Sequence, residues 1–381
     1  MGRSARSWDE SDVRVRPNRR GSRPRTKDRP KHEDAIVGRV TAVDRGRWTT
    51  LVPAGDGLPE RVVIAMRARE LGRSPVVVGD QVGMVGDTSG RPDTLARIVR
   101  IEERATVLRR TADDTDPVER VIVANADQLV VVAALADPQP RPRLIDRCLV
   151  AAYDAGMDPL LVLTKSDLAS ADDFLAQYAP LDVPHVVTSV LTEGSAGLAE
   201  LRRRLAGRVS VLVGHSGVGK STLVNALCPD ADRATGHVND VTGRGRHTST
   251  SALGLRLPPL PPSHETPQDP RVLQSSDPST LQDPRVLQGS EPDPDAAGWI
   301  IDTPGIRSFG LAHVEPDRII GHFPELAAGA EAGCPRGCTH DEPDCALDAW
   351  VAAGHAGPGG ALRLDSLRRL LRARSGESDE R

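Results

Sequence analysis

Four short segments carry residue types at spacings suited to binding a nucleoside triphosphate. Gly214, His215, Ser216, Gly217, Val218, Gly219, Lys220 and Ser221 form a full phosphate-binding loop pattern. Its glycines let backbone N–H groups turn onto phosphate oxygens, and a helix opening at Lys220-Ser221-Thr222 adds positive potential. In such a loop Lys220 reaches the β- and γ-phosphates and Ser221 ligates Mg²⁺. Thr164-Lys165-Ser166-Asp167 follows an apolar run; the Asp167 carboxylate can accept from the N1–H and N2–H₂ of guanine, a donor pair adenine lacks. The Lys165 stem would pack on the ring. In Asp302-Thr-Pro-Gly305 the Asp302 carboxylate suits Mg²⁺, through water, and the Gly305 N–H suits the γ-phosphate. Gly243-Arg-Gly-Arg-His-Thr-Ser-Thr250 lies where a first switch belongs, with Thr248 or Thr250 able to close on Mg²⁺ and the γ-phosphate. Taken singly, the last three also read as solvated charge, an ordinary turn and a mobile basic loop; their company favours the nucleotide.

The order of these segments is informative. GTP-hydrolysing switch domains run phosphate loop, first switch, Asp-x-x-Gly, base motif. Here the base motif comes first, and Ser189 in Thr188-Ser189-Val190 comes next, at the place of the loop backing the guanine. The pattern is a circular permutation. It feeds the second switch directly into the C-terminal region, so nucleotide state can pass to the residues beyond Gly305.

Those residues hold a metal signature. Cys334, Cys338, His340 and Cys345 supply three thiolates and an imidazole within twelve residues. That donor set suits one tetrahedral Zn²⁺ with no open coordination position, a structural site. Cys148 and Cys228 sit on apolar helical stretches and read as core.

The elements that must position these residues fall into three blocks. Residues 35–110 read as a small closed barrel of five short strands, an OB-fold: Val37–Val43, Arg61–Met66, Val76–Val78, Gly83–Val85 and Ala96–Ile101. With 13 Arg and 9 acids it suits either an RNA-facing or a purely structural role. Residues 111–313 alternate buried strands (Leu129–Leu135, Leu160–Leu163, Val186–Val187, Val209–Val213) with helical segments, which predicts a doubly wound α/β domain. Within it, 258–297 is rich in Pro, Asp and Ser and repeats Gln-Asp-Pro-Arg-Val-Leu-Gln at 268–274 and 282–288; it reads as a disordered insertion between strands Ala252–Leu257 and Trp299–Ile301. Residues 314–381 form a mainly helical zinc-binding region, ending in a basic amphipathic helix marked by Leu364, Leu367, Leu370 and Leu371.

Composition excludes some classes. The longest apolar run, Leu129 to Ala136, is too short to span a bilayer, and no apolar stretch near the N-terminus suggests secretion. Five cysteines make no disulfide framework, so a cytoplasmic protein with reduced thiols is expected. Residues 1–34 form a basic tail, with eleven Arg or Lys against four acids over 1–31, read as disordered or as an arm that meets nucleic-acid phosphates.

Together the barrel, the permuted motifs, Gly-Arg-Gly-Arg-His-Thr at 243–248 and the Cys/His cluster resemble the small-ribosomal-subunit biogenesis GTPases of the RsgA (YjeQ) family. The resemblance implies GTP and GDP as ligands, Mg²⁺ with GTP, one structural Zn²⁺, and a small (30S) subunit whose rRNA is gripped by the barrel and zinc domain. It further implies hydrolysis of GTP late in subunit maturation; a monomer is expected. This sequence departs from the pattern at Thr164, where Asn is usual and its amide braces the phosphate loop, and in the three-residue spacing of Cys334 and Cys338. Ile306 stands where many GTPases place a water-orienting Gln, which leaves His247, the imidazole of the first switch, as the candidate for that work beside Lys220, Thr248 and Thr250. Two competing readings are an RNA-binding factor using GTP only as a conformational ligand and a P-loop ATPase of unrelated role.

Overall fold

In the computed structural model, residues 32–375 are described except 56, 73, 112–118, 192–195, 230–251, 261–297, 305–309, 312 and 344. His247, Thr248, Thr250, Gly305, Ile306, the repeat insertion and the basic tail therefore lie outside the described residues. All the described strands and helices belong to the unit Asp34–Arg381.

Alternating inward and outward side chains build the first layer. Strands β1 (Ile36–Asp44), β2 (Arg47–Val52), β3 (Arg61–Arg67), β4 (Gln81–Gly86) and β5 (Ala96–Ile101) pair in the order 1-2-3-5-4, and β4 returns to β1, which closes the barrel. All pairs are antiparallel except β3 with β5. Val40, Trp48, Val63, Met84 and Ile98 fill its interior. The expected barrel is present with one strand exchanged. Arg47–Val52 is a full strand, whereas Val76–Val78 contributes only a bridge from Val78 to Val123. The reason is a polar residue in the core: Thr50, fully buried, donates to Val63 O at 2.8 Å, so a strand that reads as half-polar is inward-facing at Trp48, Thr50 and Val52. The apolar Val76–Val78 is instead held as a turn, where the Asp80 carboxylate accepts from Val77 N–H and from Arg104.

A ribbon of β6 (Val107–Arg110) and β7 (Arg120–Ala124) comes next. Beyond it, β8 (Gln128–Ala134), β9 (Asp158–Thr164), β10 (His185–Val187), β11 (Val209–Gly214), β12 (Leu253–Arg256) and β13 (Trp299–Asp302) form a sheet in the order 10-9-8-11-13-12. All neighbours are parallel except β12 with β13. Continuous apolar runs suit these strands because helices cover both faces; Leu160 to Leu163 are fully buried. Helices α1 (Pro142–Ala155), α2 (Asp172–Tyr178), α3 (Ala196–Leu205) and α4 (Lys220–Leu227) connect them. Pro142 opens α1 and Gly156, left-handed at φ +67°, closes it by donating back to Ala152 O and Tyr153 O. One register pair, Ala42 with Leu253, joins this sheet to the barrel.

The C-terminal part is helical: α5 (Pro316–Ile320), α6 (Pro324–Gly333), α7 (Ala346–Ala352) and α8 (Gly360–Ser375). Leu364, Leu367, Leu370 and Leu371 are all buried, each worth roughly 1.5–3 kcal/mol relative to exposure. The arginines that make α8 look basic have intramolecular partners. Arg363 pairs with Glu325, Arg368 with Asp348, Arg369 with Asp146 and Arg372 with Asp341. No helix among the described residues is long and apolar enough to cross a membrane.

Candidate nucleotide site and metal centre

The segments at 164–167, 188–189, 214–221 and 302–303 meet at the carboxyl ends of β9, β10, β11 and β13, where ligands bind in open parallel sheets. The phosphate loop leaves β11 at Gly214, whose backbone lies so close to β8 that an added Cβ would sit 2.5 Å from Val132 O. The loop then turns through Gly217 and Gly219, at φ +85° and +88°, a region L side chains rarely enter. His215 is half-buried with its ring against Ser216 O, Ser216 and Gly217 are exposed, and Val218 is buried. Ser221 and Thr222 open α4 with exposed side chains.

Lys220 is buried, and its ammonium donates to the Asp302 carboxylate and to Thr303 O. The cation expected to meet phosphate thus rests on the carboxylate expected to meet Mg²⁺, and the two motifs share one spot. The Thr303 hydroxyl donates to Leu212 O at 2.7 Å, tying the end of β13 to β11. At the other end of the site the Ser189 hydroxyl donates to Asp167 Oδ1 at 2.6 Å. Lys165, left-handed at φ +59°, directs its ammonium to Asp137 O.

Thr164 joins the two ends. Its hydroxyl lies 2.6 Å from Val218 O in the phosphate loop. The brace expected to be missing without an amide is therefore present as a hydroxyl. Sequence reasoning does not find Thr303 or Asp137: the first sits inside its motif with no role that its type reveals, and the second acts through a backbone carbonyl, which no residue type announces.

The four metal-type residues also come together. Their ligand atoms all lie within 4.8 Å of one another. Cys345 Sγ is 3.7 Å from Cys334 Sγ, 3.9 Å from Cys338 Sγ and 4.0 Å from His340 Nδ1. A tetrahedron with metal–sulfur bonds of about 2.3 Å has edges of about 3.8 Å, so the cage fits one ion of zinc's size. Burial pushes the Cys338 and Cys345 thiols up and the His340 imidazole down. A cation bound here would reverse the first effect by taking thiolates. Arg368 donates to His340 O at 3.0 Å and also holds Asp348, fixing the ligand loop to α8. Glu342 accepts from Thr339 N–H, which holds its carboxyl down at about 2.

A model of the RsgA GTPase family matches residues 101–259. The small ribosomal subunit biogenesis GTPase RsgA of Gemmatimonas aurantiaca is 34% identical over 349 residues, covering 90% of this chain and 99% of that protein. This chain belongs to the RsgA family. The Ectopseudomonas mendocina RsgA is 35% identical over 301 residues, 78% of this chain and 74% of that protein. Among solved structures, YjeQ from Thermotoga maritima matches with a TM-score of 0.55 at 23% identity, covering 90% of this chain and 99% of its own. YloQ, described as a circularly permuted GTPase, matches with a TM-score of 0.55 at 19% identity, covering 93% of this chain and 100% of its own. Membership makes the chain a GTPase, and those likenesses agree with its closed barrel, permuted nucleotide domain and helical C-terminal region.

Proposed function

We propose that this RsgA member is a ribosome-stimulated GTPase of late small-subunit (30S) maturation, hydrolysing GTP to GDP and phosphate while bound to rRNA. The observation that carries the nucleotide half is the Thr164–Val218 hydrogen bond, which locks a guanine-type carboxylate and a phosphate loop into one site. Asp167, oriented by Ser189, reads the base; the loop from Gly214 to Thr222 takes the phosphates. Ser221 and Asp302 would hold Mg²⁺, which supplies charge neutralisation on the transferred phosphoryl group. Nucleotide entry then requires Lys220 to leave Asp302 for the phosphates. His247, Thr248, Thr250 and Gly305 complete the reading as switch residues, with turnover slow until a partner orders them.

The rRNA half assigns residues 35–110 and 314–381 as grips on either side of the nucleotide domain, 111–313, with the 1–34 tail as a basic arm. Exposed Arg45, Arg47, Arg69, Arg91 and Arg97 on the barrel support contacts to phosphates. Cys334, Cys338, His340 and Cys345 hold structural Zn²⁺, and the protein works in the cytoplasm as a monomer, with the small subunit as its partner. GTP turnover measured with and without purified small subunits, together with co-sedimentation on small and large subunits using a non-hydrolysable GTP analogue, tests this. Preferential small-subunit binding and stimulated turnover are expected; unstimulated turnover, or equal binding to both subunits, overturns it.

A further inference from the structure

We infer that the barrel turn at residues 76–80 is a relay on which the exits of both switches converge, so that the barrel follows nucleotide state. The inference rests on the proposed nucleotide reading and adds a second output to it, beside the helical region beyond Gly305.

The two buried valines of this turn face different cores. Val76 belongs with Val40, Val82 and Met84 inside the barrel, and its carbonyl accepts from the Trp48 indole N–H at 3.0 Å. Val78 belongs instead to the apolar cluster of Leu108, Val123, Ile301 and Leu311 in the nucleotide domain. Between them the fully buried Asp80 carboxylate accepts from Val77 N–H at 2.8 Å and from Arg104 at 2.7 Å, which keeps the turn stiff.

The first switch reaches the turn through β12. Leu253 lies three residues beyond Thr250 and pairs with Ala42 of the barrel. At Gly254 the approach is close: an added Cβ would lie 3.4 Å from Thr41 O and 3.6 Å from Val78 Cγ1. The second switch reaches it through the ribbon. Gly310 lies five residues beyond Gly305, and its carbonyl accepts from Thr111 N–H, just past β6, at 3.2 Å. Strand β7 carries the ribbon onto the turn: Ala124 N–H donates to Val78 O at 3.1 Å, and the Asn125 amide donates to Gly79 O at 3.1 Å. Gly79, at φ +92°, leaves no slack there, because a Cβ would sit 1.9 Å from Ala124 O. Val78 is thus met from both sides. Close-packed interiors rearrange in discrete steps and do not stretch, so displacing either segment shifts Val78 or opens its contacts. The Val76 carbonyl passes that shift to Trp48 in the barrel interior.

Hydrogen exchange on the full chain, saturated with GDP or with a non-hydrolysable GTP analogue, tests this in the wild type. Protection of the phosphate loop, 214–221, marks binding. Peptides covering Thr111 and Ala124, whose amides sit at the two ends of the ribbon route, should exchange at rates differing at least about fivefold between the two nucleotides, the lower end of ordinary coupling between sites. Val78→Ala loosens the junction that both routes share, and Asn125→Ala removes the bond to Gly79 O. Each should move the ratio of GTP-analogue to GDP affinity at least about twofold, whereas a merely structural role changes both affinities alike. Loop protection by both nucleotides with equal exchange at Thr111 and Ala124 overturns the inference, as does an unchanged affinity ratio in both variants. A wild type that binds neither nucleotide overturns the nucleotide reading, and the inference with it.

Discussion

Asp167→Asn is the sharpest perturbation of the base site, because an amide offers one acceptor oxygen where the carboxylate offers two. The Ser189 hydroxyl donates to Asp167 Oδ1 at 2.6 Å, and Ser189 is buried. In the variant Ser189 can donate to the amide oxygen or accept from the amide nitrogen; the wild-type bond is kept when the oxygen stays on the hydroxyl. The amide nitrogen then replaces Oδ2, the oxygen left for the base. One guanine N–H that met a carboxylate oxygen would now meet N–H. A charge-assisted hydrogen bond is worth about 1.5–3 kcal/mol, and a donor facing a donor adds the cost of two unsatisfied groups. Asp167 is exposed without ligand, so water relieves part of this, and about 2–3 kcal/mol remains, roughly 30- to 150-fold in affinity. Xanthine offers a carbonyl oxygen where guanine has its amino group, which the new NH₂ can reach. Competition binding of GDP against xanthosine diphosphate should therefore show GDP weakened and xanthosine diphosphate strengthened. Retention of GDP within about threefold, or loss of both ligands together, refutes the assignment of Asp167 and of Ser189 as its anchor.

The same geometry sets other expectations. Cys345 Sγ faces all three other ligand atoms, so Cys345→Ala leaves a three-coordinate cage; sharing roughly 10–16 kcal/mol among four ligands gives a loss of about 3 kcal/mol, over about a hundredfold in metal affinity. Metal-to-protein stoichiometry after dialysis against a weak chelator should fall well below that of the wild type. Gly214→Ala places a Cβ 2.5 Å from Val132 O, forcing β8 and β11 apart. It should cost about 1–3 kcal/mol, read as a lowered thermal midpoint with weakened GDP binding. Burial holds the folded-state value of His313 below the usual imidazole value. Below about pH 6.5 the unfolded chain then binds more protons than the fold, so stability is full above that pH and falls on acidification. Thermal midpoints measured from pH 7.5 to 5.5 should drop, and less steeply in His313→Gln.

Much of this protein is legible in the chain because the informative signals are local. A phosphate loop needs glycines and a lysine within eight consecutive residues, and the cysteine and histidine ligands fall within twelve. Buried parallel strands announce themselves as unbroken apolar runs, so β8, β9 and β11 are readable, and their order makes the permutation visible without a fold. The features that stay hidden depend on partners far along the chain. Thr50 reads as polar until Val63 O is seen beside it, and this is why the apolar pattern points to Val76–Val78 instead of the second barrel strand. The arginines of α8 read as a basic face because their carboxylates, Asp146 and Glu325 among them, belong to other helices. Thr164 reads as a lost amide for the same reason. Residue type sets which hydrogen bonds a side chain can make; only the packing of β9 against a loop 54 residues onward sets which one it does make.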